Sequence, residues 1–344
     1  MKTTILTLDE TQSNLLEPAA HILQQGGLVA FPTETVYGLG AIYNNESALL
    51  KIFAVKGRPA DNPLIVHIWS LEQLKGLVSE VSPKAERLIN AFWPGPLTLI
   101  FPKQPDVSPI VTAGLDTVAV RMPSHPVARE LLKQTGIAVA APSANLSGRP
   151  SPTRGPHVIE DLDGKIDMII DAGMCSAGVE STVLSLAGTE PTILRPGSVT
   201  LEMLEQVLQE RVYFAGPGNV DRPQAPGMKY RHYAPKAPAI LVEGENLRVV
   251  AEINRLLAEQ SPHIKAVVLS TTENISYYHN EWVLDLGSRN EPSVIAGRIY
   301  DLLRFCDKLA VDQIYIEGIP AQGIGAAIIN RLRKAAGGNI INVS

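Results

Sequence analysis

Five cationic or titratable side chains stand where an α/β protein can use them. Lys56 and Arg58 bracket Gly57 just after the helix-like stretch 47–55, His67 interrupts the apolar run 64–68, Arg121 closes TVAVR, and Arg195 closes TILR ahead of Pro196 and Gly197. Taken singly, a cation at a helix C-terminus complements the helix dipole, and a charged residue at a strand end is ordinarily a satisfied edge residue. Pro59 and Pro63 stiffen the loop around Lys56 and Arg58, however, and a fixed pair of cations suits a polyphosphate. Strand ends of an α/β fold converge on one edge, so Lys56, Arg58, His67, Arg121 and Arg195 are expected to line one basic cleft for an anionic small molecule.

Other segments could complete such a cleft. Ala141 to Gly148 with Ser151, and Gly178 to Thr182, are dense in hydroxyls and amides, including Ser143, Asn145 and Ser181. Local turn bonding explains much of that content. Pro32 to Gly40 mixes Thr33 and Thr35 with two glycines, which permit close backbone approach to a ligand. Arg222 to Lys236 holds four Lys or Arg, His232, Tyr230 and Tyr233 and no acid, a composition that fits a lid able to stack on a base and screen phosphates.

The elements that must position these residues are readable from the pattern. Apolar runs at 28–32, 64–68, 97–102, 117–121, 168–171 and 182–186 predict strands. A helical stripe spans 13–25, and Ser124, His125 and Pro126 read as the capped start of a helix ending near Thr135. Beyond a Pro- and Gly-rich tract, 239–243, 266–270, 282–286 and 313–317 predict strands alternating with helices at 247–260, 292–308 and 325–336, hence a parallel sheet. The expected organisation is a catalytic domain over 1–210, a linker or lid over 211–238 and a smaller Rossmann-like domain over 239–344.

Composition sets the limits. The 344 residues are 45% hydrophobic with formal net charge −5, ordinary for globular domains, and roughly two domains of ~150 residues are expected. Residues 1–210 carry −7 and 211–344 carry +2, which argues against a phosphate-tracking nucleic-acid binder in the first part. No apolar run approaches membrane-spanning length and no signal-peptide core forms, so a cytosolic protein is expected. Cys175 and Cys306 are isolated and read as buried or inert thiols. Walker, zincin, nucleophile-elbow and zinc-ribbon motifs are absent, and Gly323-Ile324-Gly325 is too short for a dinucleotide fingerprint.

FPTETVYGLG, KGRPADNPLIVHI, WPGPLT, AGLDTVAVRMP, APSANLSGRPSPT, GVESTV and LRPG, in this order, resemble the Sua5/YrdC family of threonylcarbamoyl-AMP synthases, and PGMKYRHYAP with the following α/β domain resembles its two-domain Sua5 form. The resemblance implies a YrdC-like twisted mixed sheet with flanking helices around an open cleft, plus a parallel C-terminal domain. It implies that L-threonine, bicarbonate and ATP become threonylcarbamoyl-adenylate and pyrophosphate, with Mg²⁺ bound through phosphates. The product would pass to a TsaD/Kae1-type transferase that modifies tRNA adenosine 37, with weak tRNA contact and no membrane. By motif, ATP would meet Lys56, Arg58, Asn62, Thr117, Ser143, Asn145, Ser151, Arg195 and Tyr233, with Lys56, Arg58, Ser143 and Asn145 catalytic. Threonine would meet Thr35, His67, Arg121, Ala141 and Ser181. A competing reading is an RNA-binding or ribosome-associated module. Carbamoyl transfer in metallocentre maturation is a weaker one, since such proteins carry an acylphosphatase domain and zinc-finger cysteines that this chain lacks.

Overall fold

Hydrophobic runs without polar alternation must be covered on both faces, and this requirement organises the first half of the chain. The structure, a computed structural model, describes residues 2–9, 15–216 and 233–343. Contacts divide the chain into two compact units, Met1–Ser147 with Ser151–Tyr230, and Gly148–Pro150 with Arg231–Ser344.

The first unit is built on an eleven-stranded mixed sheet. Its strands are β1 (Thr4–Thr7), β2 (Val29–Phe31), β3 (Gly38–Ile42), β4 (Ile65–His67), β5 (Leu97–Pro102), β6 (Thr117–Arg121), β7 (Val139–Ala140), β8 (Met168–Asp171), β9 (Thr182–Ser185), β10 (Thr192–Arg195) and β11 (Tyr213–Phe214). Their spatial order is β1-β8-β2-β3-β7-β4-β6-β5-β9-β10-β11. Alternate residues of the central strands enter different cores. Val66, Leu99, Val120 and Leu184 join the large cluster that also holds Leu49, Ile52 and Leu88, whereas Ile65, Ile100, Ala119 and Val183 form a small apolar patch on the other face. Each fully buried Leu, Ile or Val contributes about 1.5–3 kcal/mol, so the register of these strands is firmly set.

Some elements differ from the sequence expectation. The segment after Phe31, which is not among the predicted strands, becomes β3 from Gly38, because Gly40 lets that strand lie where a Cβ would come within 2.8 Å of both the Phe31 ring and the Val139 side chain. The helix Pro126–Thr135 is capped by His125, not Ser124: the imidazole Nδ1 accepts from the Val127 N–H at 3.2 Å. The first helix is Glu17–Gln24, and the expected residues before Leu15 lie outside the described set.

The second unit is a five-stranded, all-parallel sheet in the order β14-β13-β15-β12-β16, where β12 is Ala239–Gly244, β13 Ala266–Thr271, β14 Val283–Gly287, β15 Gln313–Glu317 and β16 Ile340–Val343. Helices Asn246–Glu259, Pro292–Leu309 and Gly325–Ala335 alternate with the strands, as the pattern predicts. Glu317 is fully buried at the end of β15, and its carboxylate accepts from Ser270, Thr271, Asn274 and Tyr278, which makes the buried charge tolerable. Both cysteines are buried, and burial pushes the Cys306 thiol up to about 12 and the Cys175 thiol higher still.

Candidate active site

Strand register brings separate segments into one row. His67 of β4 pairs with Arg121 of β6, Arg121 with Thr98 of β5, Thr98 with Val183 of β9, and Val183 with Arg195 of β10. Directly paired residues share a face. His67, Arg121 and Thr98 therefore stand on the same side as Ile65, Ala119, Ile100 and Val183, beside an apolar floor.

Arg121 is the centre of the row, and it is 3% exposed. Its Nε donates to the Gly95 carbonyl at 3.2 Å and its Nη1 to the Thr35 hydroxyl at 2.9 Å. Its charge is met by Glu34, whose Oε1 lies 2.6 Å from Nη2 as an ion pair without the angles of a hydrogen bond. Burial alone would raise the Glu34 pKa, but the guanidinium and nearby backbone N–H groups outweigh burial and hold it below the usual carboxylate value. The Pro32–Tyr37 loop is itself anchored: Thr33 Oγ1 donates to the Val36 carbonyl at 2.6 Å, and the Ala177 N–H and Ser176 hydroxyl bond the Glu34 carbonyl.

His67 corrects the expectation of a uniformly basic cleft. Burial first, and then the neighbouring Arg121 charge, press its pKa down to about 3, so the imidazole is neutral near pH 7. Its Nδ1 lies 3.2 Å from the Ile65 carbonyl, a contact that favours the tautomer with the proton on that nitrogen and Nε2 as the acceptor.

Arg195 clamps Ser181. Nε donates to the Ser181 carbonyl and Nη2 to its hydroxyl, both at 3.1 Å, while that hydroxyl is 2.7 Å from Thr98 Oγ1. Gly197 permits the approach: a Cβ there would fall 2.3 Å from the Thr182 nitrogen and 2.6 Å from the Glu180 carbonyl oxygen. In the same loop, Glu180 Oε1 accepts from the Ser151 hydroxyl at 2.5 Å.

A second cationic cluster forms around Lys56. The helix Glu46–Lys56 starts at an Asn45 cap and stops at Gly57, whose φ of 60° only glycine adopts without strain. Lys56, buried at the end of this helix, donates from Nζ to the Ser143 and Asn145 carbonyls at 2.5 Å each. Ser143 Oγ donates in turn to Asn145 Oδ1, and the Ser147 N–H to the Lys56 carbonyl. Arg58 Nη2 closes its own loop on the Asn62 and Pro63 carbonyls at 3.2 and 3.4 Å. Asn62 is fully buried, and among the described residues neither of its amide atoms has a hydrogen-bond partner.

The 141–147 segment connects the clusters. The Ala141 N–H donates to the Ile65 carbonyl, two residues from His67; Ser143 bridges Gly38; and Ser143 and Asn145 hold Lys56. Since the Ala141 N–H is committed, backbone contact with a ligand amine would come from its carbonyl. Thr117 opens β6 on the Arg121 face, and four strand steps of ~3.3 Å separate the two by roughly 13 Å. Tyr233 lies in the second unit, buried with φ of 64°, its ring 5.2 Å from that of Tyr300 and with the Arg331 guanidinium 5.7 Å away. The remainder of the proposed lid, Arg222 to His232 with Tyr230, lies outside the described residues.

Sequence reasoning missed Glu34, Thr98 and Glu180. Each is an ordinary loop or strand residue until the fold supplies Arg121, Ser181 or Ser151 as its partner.

Comparison with known proteins identifies the family. Residues 21–197 match the Sua5/YciO/YrdC family described as telomere recombination, and residues 199–337 match the C-terminal domain of threonylcarbamoyl-AMP synthase. Relatives named threonylcarbamoyl-AMP synthase occur in Bacillus subtilis, 48% identical over 97% of this chain and 96% of theirs, and in Pyrococcus abyssi, 50% identical over 94% and 95%. The crystal structure of P. abyssi Sua5 complexed with L-threonine is 46% identical and superposes with a TM-score of 0.92 over 100% of both chains. The chain belongs to the Sua5/YciO/YrdC family, in the two-domain form that carries the Sua5 C-terminal domain.

Proposed function

We propose that this chain is an L-threonylcarbamoyladenylate synthase, joining L-threonine, bicarbonate and ATP into threonylcarbamoyl-AMP and pyrophosphate. The observation that carries the reading is the buried row of His67, Arg121 and Thr98, with Ser181 clamped by Arg195, linked through the 141–147 segment to the Lys56 cluster. The names of the full-length relatives and the threonine complex of the P. abyssi protein support it.

The chemistry joins two anions. Threonine's amine captures bicarbonate as a carbamate with loss of water, and a carbamate oxygen attacks the α-phosphorus of ATP in line with departing pyrophosphate. Unassisted, the approach is opposed by Coulomb repulsion, so oriented cations and donors must balance the charge. Arg121 would take the threonine carboxylate, with Thr35 alongside. His67, neutral with Nε2 as acceptor, suits a donor such as the threonine hydroxyl. Ser181 presents a hydroxyl held by Thr98 and Arg195, and Ala141 offers a carbonyl to the nitrogen. Lys56, Arg58 and Arg195 would counter phosphate charge, Ser143, Asn145 and Ser151 would bond phosphate or ribose oxygens, and Thr117 would mark the far end of the adenylate. Asn62 fits a nucleotide contact because a buried amide without partners calls for a ligand's polar groups. Tyr233 would be a further nucleotide contact, as its motif implies.

Among the described residues no group of three or more His, Cys, Asp or Glu side chains is arranged for a metal. A Mg²⁺ ion would arrive on the ATP phosphates, keep most of its waters and neutralise phosphate charge. The adenylate would be consumed by a TsaD/Kae1-type tRNA threonylcarbamoyltransferase in the cytosol, with at most weak tRNA contact by this chain. No helix among the described residues is long and apolar enough to cross a membrane.

The test is pyrophosphate release together with calorimetry. Release from ATP should require both threonine and bicarbonate, and uptake should favour threonine over serine. Pyrophosphate release that ignores threonine, combined with salt-steep RNA binding, would overturn this reading in favour of an RNA-binding module.

A further inference from the structure

The Glu34–Arg121 pair does more than neutralise a buried cation. A guanidinium carries five N–H donors; among the described residues Nε and Nη1 of Arg121 each donate one hydrogen bond, to Gly95 and Thr35, and Nη2 faces Glu34, so the guanidinium keeps N–H groups beyond these contacts. Glu34 is 8% exposed; its carboxylate meets Arg121 Nη2 at 2.6 Å and is approached by backbone N–H groups, and the roughly four lone-pair sites of a carboxylate leave it accepting capacity beyond those contacts. Buried polar groups ordinarily satisfy their hydrogen-bonding capacity, and here both ends of the pair retain spare capacity side by side.

An α-amino acid is the complement of that arrangement. Its ammonium and carboxylate sit one carbon apart, and laid antiparallel against the ion pair each charge meets its opposite: carboxylate on guanidinium, ammonium on carboxylate. We infer that Glu34 is the acceptor for the substrate's α-ammonium group and makes the site select zwitterionic amino acids over simple hydroxy acids. The inference rests on the reading above and adds a specificity determinant to the same site. The backbone is prepared for the task, since the Glu34 carbonyl is pinned by Ser176 and Ala177 and its neighbour Thr35 is tied to Arg121. A monocarboxylate lacking the amine would place a second anion beside Glu34 with nothing to offset it.

The test is a cycle between protein and ligand. Wild-type protein and Glu34→Gln are titrated by calorimetry with L-threonine and with 3-hydroxybutyrate, which keeps the carboxylate and hydroxyl and lacks the ammonium. Wild type should prefer threonine by about ten- to a hundredfold, the loss expected for an unpaired buried charge, and the preference should fall to within about threefold in Glu34→Gln. Glu34→Asp, which keeps the charge on a shorter stem, should restore part of the preference. Equal binding of both ligands by wild type overturns the inference and needs no variant to fold. A preference that survives Glu34→Gln overturns it too, and so does an equal loss of both ligands, which would make Glu34 only a support for Arg121. Wild type that binds no threonine at all would instead remove the underlying functional reading, and this inference with it.

Discussion

Lowering the pH from 7 to 5 should destabilise the wild-type first unit by about 2 kcal/mol more than it destabilises His67→Gln. The unfolded imidazole titrates near 6.5, whereas in the fold burial, followed by the Arg121 charge, lowers the value to about 3. A depressed folded value means that stability is fully present above 6.5 and is lost as the pH falls toward 3, because the unfolded chain takes up a proton that the folded chain refuses. Each unit below 6.5 costs about 1.4 kcal/mol, and the 1.5 units down to pH 5 give about 2 kcal/mol. Glu34 does not contribute in this window: its lowered pKa makes its contribution disappear only below its ordinary value of 4.5. The other six histidines are common to both proteins and cancel in the difference. Urea unfolding at the two pH values measures the effect, and a proton titration of the labelled imidazole locates the midpoint directly. Parallel pH dependence in the two proteins, or a midpoint near 6.5, would refute a buried neutral His67 and with it the assignment of Nε2 as an acceptor.

Two other perturbations follow from the geometry. Lys56→Met keeps the length of the side chain and removes its charge, so threonine-dependent pyrophosphate release should fall by about ten- to a hundredfold in a chain whose circular dichroism is retained; undiminished turnover would exclude a phosphate role. Gly197→Ala places a methyl against the backbone of Glu180, Ser181 and Thr182, none of which is a flexible side-chain end, and should cost roughly 1–3 kcal/mol or more, visible as a lowered melting temperature and weaker threonine binding. An unchanged melting temperature would show that the Arg195–Ser181 clamp tolerates displacement.

The parts of the fold that sequence made legible are those where one local cause suffices. LTLIFP, TVAVR, MIID and QIYIE are strands with the expected bounds because apolar β-formers run without interruption. β3 was hidden, since Gly38 and Gly40 are poor strand residues alone and are required only once Phe31 and Val139 crowd them. The two-residue strands β7 and β11 are too short to carry a period. At the site, the cations were visible as charges out of place in apolar runs, and the family motifs supplied ligand identities that spacing could not. Glu34 was invisible because the residue that gives it meaning, Arg121, lies 87 positions away. Thr98 looked like filler in a core strand, and the charge state of His67 depends on burial that no spacing reports.

The strand row has a consequence for biosynthesis. Its members enter the chain between His67 and Arg195, and Val183 on β9 is the register link between Thr98 and Arg195. No early fragment contains the clamp on Ser181, and pairings between such distant segments form late because loop closure must precede them. On the proposed reading of the site, a growing polypeptide would gain the Arg195–Ser181 clamp only once almost two hundred residues have left the ribosome, and a chain stopped before β10 would be expected to be inert rather than a leaky enzyme that squanders ATP.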